Sequence, residues 1–283
     1  MTTVLITGST GFVGGQIIRF LMKRDVSLIL VVRSGKESAF KDIPNVKRVV
    51  RSKDLFHEEI AWWEEQCKLV DIVIHAAWYV EPNKYLQSSR NEHCLNGSIK
   101  LAQGAVNAGV KRVIGVGTCF EYDLSGGLLT VNSPLRPTTP YSIAKVALFE
   151  YLKTFLRTKS TQFAWCRLFY LYGENEDERR LVPYIHRQLK KGDAVELTTG
   201  QQVRDFMDVS VAGRIIAEIS LGDKCGPINV CSGVPITVRQ LAERIADNYG
   251  ARGLLKFGAR LANTIDPPYV VGVPNHGVSE GGV

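Results

Sequence analysis

The sequence has 283 residues, of which 45% are hydrophobic and 22% are charged, so the chain can bury a sizeable core and its composition argues against disorder. No apolar run reaches the roughly 18 residues that a membrane helix needs, and we expect a cytoplasmic protein that does not bind a membrane. The formal net charge is +7, but Lys and Arg cluster only in isolated pairs, which is too little basic surface for a nucleic-acid-binding protein.

The first two-thirds of the chain alternate short β-branched runs with longer helical patterns. The predicted strands cover residues 4–7, 27–32, 47–50, 70–75, 112–117 and 163–168. Several of these runs are continuously apolar, as strands covered on both faces of a parallel sheet are, and the segments between them are long enough for right-handed crossovers. The pattern predicts an α/β fold with a Rossmann-like, doubly wound parallel sheet.

The order of elements changes after residue 168. A helix, two strands, a second helix and a further strand are predicted, in that order, over 181–191, 194–197, the region of Phe206, 209–221 and 228–230. A capping box of Thr237 and Gln240 then begins a helix that ends near Gly250. These elements indicate a smaller lobe whose sequence is interleaved with that of the first domain.

A glycine-rich segment lies between the first strand and the first helix. Gly8 permits a tight turn, Gly11 lets the backbone approach a pyrophosphate, and Gly14 lets the helix pack closely on the strand. The start of the helix adds free N–H groups and the positive end of its dipole. We predict a dinucleotide site here rather than an ordinary flexible turn, with contacts from Gly8, Thr10, Gly11, Phe12, Val13 and Gly14.

Arg33 follows the second predicted strand, about 20 residues after the glycine-rich segment, where the adenosine ribose of a bound dinucleotide lies. An acidic residue there would accept the 2′-hydroxyl of NAD, whereas arginine favours the 2′-phosphate of NADP. We therefore expect NADP(H), with Ser34 as a second contact, and NAD(H) as the alternative if Arg33 is only a solvated surface charge. By the same topology, Asp54 and Leu55 lie near the adenine.

Tyr141 and Lys145 begin a helical pattern after the fifth strand, and their spacing of four places the phenol and the ammonium on one helix face. A nearby ammonium would lower the pKa of the phenol and suit it to proton transfer. Thr118 lies at the carboxyl end of the fifth strand, where open α/β sheets bind ligands, and its hydroxyl can hydrogen-bond a substrate oxygen. The alternative for Thr118 is a turn residue that bonds its own backbone.

Several motifs in a fixed order resemble those of a known enzyme family. They are Thr-Gly-x-x-Gly-x-x-Gly at 7–14, His75-Ala76-Ala77, Asn96, Thr118 four residues before Tyr122, Tyr141-x-x-x-Lys145, the run from Arg167 to Gly173, Leu181-Val182-Pro183 and Arg204-Asp205-Phe206. Together they resemble the extended short-chain dehydrogenase/reductases that act on nucleotide-diphosphate sugars, over the chain to about Pro274. The resemblance implies that Tyr141 is the general acid or base, that Lys145 holds the nicotinamide ribose and that Thr118 binds the reacting oxygen.

The resemblance also implies how the rest of the site is assembled. His75, Ala76 and Ala77 would contact the cofactor, and the nucleotide-diphosphate sugar would be bound by Trp78, Asn96, Thr118, Cys119, Tyr170 and Arg204. Residues 1–168 with 205–232 would form the NAD(P)-binding domain, and 169–204 with 233–283 a substrate-binding lobe abbreviated at its end. Members of the family often form homodimers through helices that correspond to the Asn96 and Tyr141 regions, and we expect a homodimer here.

Two departures from the family pattern narrow the chemistry. Cys119 and Phe120 stand where the 4,6-dehydratases carry an Asp-Glu pair, which disfavours dehydration, and Phe120 fills the place of an acid/base cysteine in members that epimerise C3 and C5. The departures favour NADPH-dependent reduction of the C4 ketone of a nucleotide-diphosphate 4-keto-6-deoxysugar. A nucleotide-sugar 4-epimerase is the alternative, and a non-catalytic dinucleotide sensor is the alternative from another class.

The six cysteines are interpreted as reduced. None belongs to a Cys-x-x-Cys pair, and four lie in apolar segments, where a thiol acts as a small hydrophobic side chain. We expect neither a disulfide framework nor a metal site.

Overall fold

The structure is a computed structural model that describes residues 1–40, 43–261 and 267–277. Its strands are β1 (Thr2–Thr7), β2 (Val26–Arg33), β3 (Val46–Ser52), β4 (Ile72–His75), β5 (Arg112–Thr118), β6 (Leu128–Leu129), β7 (Gln162–Leu168), β8 (Tyr170–Tyr172), β9 (Val195–Leu197), β10 (Val203–Asp208), β11 (Gly226–Val230), β12 (Pro235–Thr237), β13 (Leu255–Phe257) and β14 (Tyr269–Gly272). Its α-helices are α1 (Phe12–Leu21), α2 (Ile60–Gln66), α3 (Arg90–Asn107), α4 (Pro140–Thr158), α5 (Leu181–Lys191), α6 (Val209–Leu221) and α7 (Val238–Asp247). A short 3₁₀ turn, Cys119–Glu121, follows β5 directly.

The larger sheet has seven parallel strands in the order β3-β2-β1-β4-β5-β7-β11. Helices α1 and α6 cover one face, and α2, α3 and α4 cover the other, each set over its own buried hydrophobic cluster. This arrangement confirms the predicted α/β class with a doubly wound parallel sheet. Because the strands run in one direction, the carboxyl ends of β1, β4 and β5 lie along one edge, where this class of fold binds ligands.

The smaller sheet is built from short strands. Strands β12, β10, β14 and β6 are neighbours in it, β8 pairs with β10, and β9 pairs separately with β13. Helices α5 and α7 pack over a buried cluster that includes Ile185, Leu197 and Ile245. The predicted capping box of Thr237 and Gln240 is confirmed, and the helix that it begins ends at Asp247, shortly before Gly250.

The segment 205–232 contributes to both sheets. Strand β10 lies in the smaller sheet, α6 packs against α1, and β11 joins the larger sheet beside β7. The division into a cofactor domain and a substrate lobe stays a prediction, and its proposed last residues, 278–283, lie outside the described residues. Within the ranges that the structure describes, no helix combines the length and the apolar character that crossing a membrane requires.

Candidate active site

The glycine-rich segment forms a tight loop at the carboxyl end of β1. Gly8 has a left-handed backbone (φ +75°), and a Cβ there would lie 2.7 Å from the backbone nitrogen of Ala77. A Cβ on Gly14 would collide with the carbonyl oxygen of Gly8. Gly11 is the N-cap of α1, and no side chain caps the helix, so the first N–H groups of α1 keep their capacity to bind an anion.

Among the other predicted loop residues, Thr10 is exposed, whereas Phe12 and Val13 are half-buried in the first turn of α1. The loop is therefore a close-packed backbone cradle with bare helix N–H groups, and it fits the pyrophosphate of a dinucleotide. A bound cofactor would be held here by backbone groups, because only glycines let the chain approach so closely.

His75 ends β4 beside this loop. Its Nδ1 lies 2.8 Å from the Thr7 hydroxyl oxygen, and its Nε2 lies 2.7 Å from that of Ser98. Burial lowers the pKa of His75 to about 3, with a smaller contribution from Lys145, so the imidazole is neutral at physiological pH. The structure places Ala76 and Ala77 against Gly8, and their contact with the cofactor stays a prediction.

The end of β2 is exposed and basic. Arg33 and Ser34 are both exposed, and the Ser34 N–H donates to the carbonyl oxygen of Ser52 on the neighbouring strand (3.1 Å). The nearest downstream acid, Glu37, already pairs with Arg51 (Nε to Oε1 3.5 Å). Arginine is thus the exposed charged side chain at the end of β2, and its contact with the adenosine ribose of a cofactor stays a prediction.

Asp54 and Leu55 follow β3, as predicted, but the Asp54 carboxylate has local partners. It accepts from the Phe56 N–H (3.0 Å) and pairs with Nδ1 of His57 (3.1 Å). Leu55 is half-buried against the cluster beneath α2 and α3. Asp54 therefore shapes its own turn in this structure.

Thr118, Tyr141 and Lys145 come together at the carboxyl end of β5. Thr118 is the last residue of the strand, and Tyr141 is the second residue of α4, where the Thr118 side chain lies near enough to influence the pKa of the phenol. Lys145 lies one turn later, where its ammonium donates to the Val116 carbonyl oxygen (2.8 Å). The sequence prediction that these three side chains form one cluster agrees with their placement.

The electrostatics of this cluster differ from the sequence prediction. Burial raises the pKa of Tyr141 well above its ordinary value, and the nearby Thr118 side chain offsets only part of this. The predicted lowering of the phenol pKa is therefore wrong for this structure. Burial also lowers the pKa of Lys145 to about 7, which weakens the ammonium charge that the prediction relied on.

Trp78 lies beneath the ammonium of Lys145, whose Nζ is 3.7 Å from the centre of the indole ring. The indole N–H donates to Asn91 (2.8 Å), and the Asn91 amide donates in turn to the carbonyl oxygens of Tyr85 and Ser88. Trp78, predicted as a substrate contact, is thus also the aromatic support of Lys145.

Asn96 is not part of the cluster, which corrects its prediction as a substrate-binding residue near Tyr141. Its side chain is exposed and lines a surface groove with His57 and His93. The buried face of α3 carries Asn91, Cys94 and Ser98, and Asn96 is out of phase with that helical period. Asn91 is the asparagine that reaches the site, and the same period of three and four residues could have identified it.

Two aromatic pairs lie in this region, one with Tyr141 and one with Phe120. The ring of Tyr85 meets that of Tyr141 edge-on at 4.9 Å between centroids, and Phe120 meets Tyr170 at 6.1 Å. The guanidinium of Arg204 is buried 5.1 Å from the centre of the Tyr170 ring. Tyr170 and Arg204, which are both predicted substrate contacts, thus lie next to each other. Tyr170 also contacts Phe120, which follows Thr118 by two residues.

Cys119 and Asp205 are both buried within the protein. Cys119 is buried, and burial raises the pKa of its thiol to about 12, so it cannot serve as an acid or base near neutral pH. Asp205 is fully buried and accepts from Ser232 (2.8 Å from the N–H), Gly233 (2.9 Å) and Gly272 (3.2 Å), which joins β10 to β14 and to the turn after β11. Asp205 therefore serves the fold, whereas the buried guanidinium of Arg204 donates to the Val203 carbonyl oxygen (2.9 Å), and its contact with a substrate stays a prediction.

Glu121, which the sequence analysis did not select, lies directly behind Thr118. Its carboxylate accepts from the Thr118 N–H (2.9 Å), the Trp165 indole N–H (3.0 Å) and Nε of Arg167 (2.6 Å). The signal was present in the sequence, because Thr118 and Glu121 have the spacing of a capping box, and the structure forms that box. Across the described part of the chain, no three His, Cys, Asp or Glu side chains are grouped to hold a metal ion.

Comparison with known proteins places this geometry in context. The model of the NAD dependent epimerase/dehydratase family matches residues 4–219. The chain is 25% identical to dTDP-6-deoxy-L-talose 4-dehydrogenase (NAD(+)) of Aggregatibacter actinomycetemcomitans over 95% of this chain and 98% of the relative. It is 24% identical to a putative UDP-glucose 4-epimerase of Methanocaldococcus jannaschii, over 88% and 83%. The solved UDP-N-acetylglucosamine 4-epimerase of Methanobrevibacter ruminantium shares the fold, with a TM-score of 0.84, 23% identity and coverage of 96% and 89%.

Proposed function

The chain belongs to the NAD dependent epimerase/dehydratase family, and on this basis we propose that it reduces the C4 ketone of a nucleotide-diphosphate 4-keto-6-deoxysugar with NADPH. The relative that aligns over 95% of the chain is named as a 4-dehydrogenase of a dTDP-6-deoxysugar. Oxidation of a C4 hydroxyl and reduction of a C4 ketone are the two directions of one reaction.

The observation that carries the proposal is the placement of Thr118 and Tyr141 together at the carboxyl end of β5, beside a backbone cradle that fits a dinucleotide. Ketone reduction needs a hydride and one proton, and Tyr141 is the phenol placed to supply that proton. Burial raises the pKa of Tyr141, so the phenol carries its proton before the reaction. A 4-epimerase would use the same phenol in both directions, so incorporation of label from NADPH distinguishes the two activities.

The two residues that follow Thr118 in the sequence support a mechanism with a single proton transfer. Dehydration needs a further acid and base, and the two positions after Thr118 carry a buried thiol, Cys119, and the ring of Phe120. Neither side chain exchanges protons near neutral pH. The side chains of the site therefore suit a reaction at C4 of the sugar alone.

In this mechanism the loop at 8–14 and Lys145 would hold the cofactor, which would supply the hydride when bound. Thr118 orients the ketone oxygen, and Tyr141 donates its proton to that oxygen as the hydroxyl forms. Arg204, beside Tyr170, is positioned to bind the diphosphate by charge-assisted hydrogen bonds. We assign cofactor choice to Arg33, whose guanidinium suits the 2′-phosphate of NADP.

We also propose that two copies of the chain associate through α3 and α4. Ile143 on α4 is 52% exposed, and a shallow groove between the helices is lined by Leu95, Pro140 and Ala147. An apolar groove of this kind is stabilised when a second copy covers it.

The proposal is tested with dTDP-, UDP- and CDP-linked 4-keto-6-deoxysugars and NADPH, followed by NADPH absorbance. We expect stoichiometric oxidation of NADPH with one of them, and deuterium from C4-labelled NADPH at the former ketone carbon of the sugar. Interconversion of two 4-hydroxy sugars without added cofactor, and without label in the product, would instead identify a 4-epimerase.

A further inference from the structure

We propose that Glu121 is a positioning residue of the hydride-transfer site, which acts by fixing Thr118 in the orientation that receives the reacting oxygen. The inference rests on the proposed function in one respect, the assignment of that oxygen to Thr118. It concerns a buried carboxylate whose hydrogen bonds go to Thr118, Trp165 and Arg167, and whose charge also contributes to the raised pKa of Tyr141.

The carboxylate of Glu121 is bound from several directions. It is fully buried, and one of its oxygens accepts from the Thr118 N–H while both lie within hydrogen-bond distance of the Trp165 indole N–H. Arg167, 1% exposed, completes the set from β7 with an Nε contact of 2.6 Å. The carboxylate therefore ties the end of β5 to the neighbouring strand.

The surrounding chain makes room for this arrangement. A Cβ on Gly117 would collide with Oε1 of Glu121 and with Nε1 of Trp165. Gly117 therefore has no side chain at the position immediately before Thr118, and the Glu121 carboxylate and the Trp165 indole occupy that space. A glycine inside a strand weakens it, so its presence here serves the contact with Glu121.

Stabilisation of the fold does not by itself explain why Glu121 and Arg167 form a buried ion pair. Well-packed apolar side chains of similar volume often stabilise a core as well or better, because two charges lose their hydration when they are buried. The geometry gives Glu121 a more specific effect. It holds the backbone of Thr118, whose hydroxyl accepts from the Phe120 N–H (3.3 Å) and lies near Tyr141, so a shift of this backbone moves the hydroxyl relative to the phenol.

The test is a double-mutant cycle with Glu121→Asp. This substitution keeps the carboxylate but shortens the side chain by one methylene group. With saturating NADPH and the 4-keto sugar, we expect E121D to lower kcat roughly ten- to a hundredfold, the scale of a misplacement of about 1 Å, with an unchanged Kd for NADPH. In a Thr118→Ala background the same change should alter kcat by less than about twofold, because the residue through which Glu121 acts is gone.

Tyr122→Phe is the matched control. It removes the hydroxyl that binds Arg167 (3.0 Å) and Asn229 (2.7 Å) at the far end of the same buried network, and it leaves the contact between Thr118 and Glu121 intact. We expect Y122F to lower Tm but to keep kcat within about twofold of the wild type. Equal losses of kcat in Y122F and E121D, or an E121D effect that persists in T118A, would show a merely structural role and overturn the inference.

A measurement without turnover separates this inference from the proposed function. Amide hydrogen exchange at the Thr118 N–H, followed by NMR, should be faster in E121D than in the wild type while β1 and β4 keep their protection. Unchanged exchange at Thr118 overturns the inference even if the sugar reductase assignment is correct. If E121D does not fold, Glu121→Gln, which keeps an acceptor oxygen for Thr118, replaces it in the cycle and should retain more kcat than Glu121→Ala.

Discussion

The candidate site has two ends that use different parts of the chain. The backbone end is the glycine-rich cradle where β1 and β4 end, and the proton-transfer end is the cluster of Thr118, Tyr141 and Lys145 where β5 ends. Where β1 and β4 end, the groups offered to a ligand are backbone N–H groups between glycines, with a neutral His75 behind them. Where β5 and β7 end, they are side chains whose burial shifts their pKa values, such as Tyr141 and Lys145. Anion binding needs close approach of the backbone, whereas proton transfer needs a group whose protonation state is controlled. Substitutions at one end or the other should therefore affect different quantities.

The largest effect is expected at the proton-transfer end, for Tyr141→Phe. Loss of the general acid should lower kcat at least about a hundredfold. The ring remains packed against Tyr85 and Trp78, so the Kd for NADPH should stay close to that of the wild type. Steady-state rates and a fluorescence titration with NADPH measure the two quantities. Turnover near the wild-type level would remove Tyr141 from this role.

At the backbone end, a single methyl group should be enough to weaken binding. Gly14→Ala would press a Cβ into the Gly8 carbonyl oxygen, and such overpacking costs about 1–3 kcal/mol, which corresponds to a loss of roughly 5- to 150-fold in NADPH affinity where binding bears that cost. Gly15→Ala is the matched control, because a Cβ there meets nothing within 4 Å. Titration with NADPH compares the variants. Equal affinities in the two would contradict the close-packed cradle.

A charge reversal tests whether one exposed side chain adds specificity to the backbone end. Arg33→Asp should change the NADPH/NADH preference by about tenfold or more towards NADH, since a charge-assisted bond to the 2′-phosphate is lost. Arg51→Gln, on the neighbouring strand, controls for the general loss of positive charge. Ratios of kcat/KM for the two cofactors are the measurement. A wild type that prefers NADH, or an unchanged ratio in R33D, would refute the assignment.

The last prediction concerns stability rather than turnover or binding, and it tests the burial of His75. Its pKa falls from 6.5 to about 3 on folding, so between these values the unfolded state binds more protons. Stability from the neutral imidazole is complete above about pH 6.5 and is lost as pH falls towards 3, by up to about 1.4 kcal/mol per pH unit. Chemical denaturation of the wild type and His75→Gln should show this difference growing between pH 6.5 and 4. Parallel pH profiles would mean that His75 is not buried as described.

The backbone end could be predicted almost completely from the sequence, because its information is local. The glycine spacing, the strand before it and the helix after it lie within a few consecutive residues, and the parallel strands show as apolar runs. The proton-transfer end depends on contacts between distant segments. Nothing near Tyr141 indicates that Trp78 and Tyr85 enclose it, and so the direction of its pKa shift was predicted wrongly.

The same reasoning explains the residues that were misplaced or missed. Asn96 was chosen by its position in a motif, while the helical period of α3 brings Asn91 to the site instead. Glu121 lies within the turn after Thr118, yet its partners Trp165 and Arg167 come from another strand. Strands β6 and β12 have two and three residues, too few for a visible alternation.

The position of β11 has a consequence for synthesis of the protein. This strand completes the larger sheet by pairing with β7, with Gly226 opposite Ala164, although α5, α6 and β8 to β10 lie between them in the chain. During translation β7 therefore remains an open edge, with unpaired backbone groups and apolar side chains, until residue 230 has left the ribosome. Over that interval the nascent chain has the kind of surface that chaperones bind, and a chain terminated before β11 would expose an aggregation-prone strand permanently.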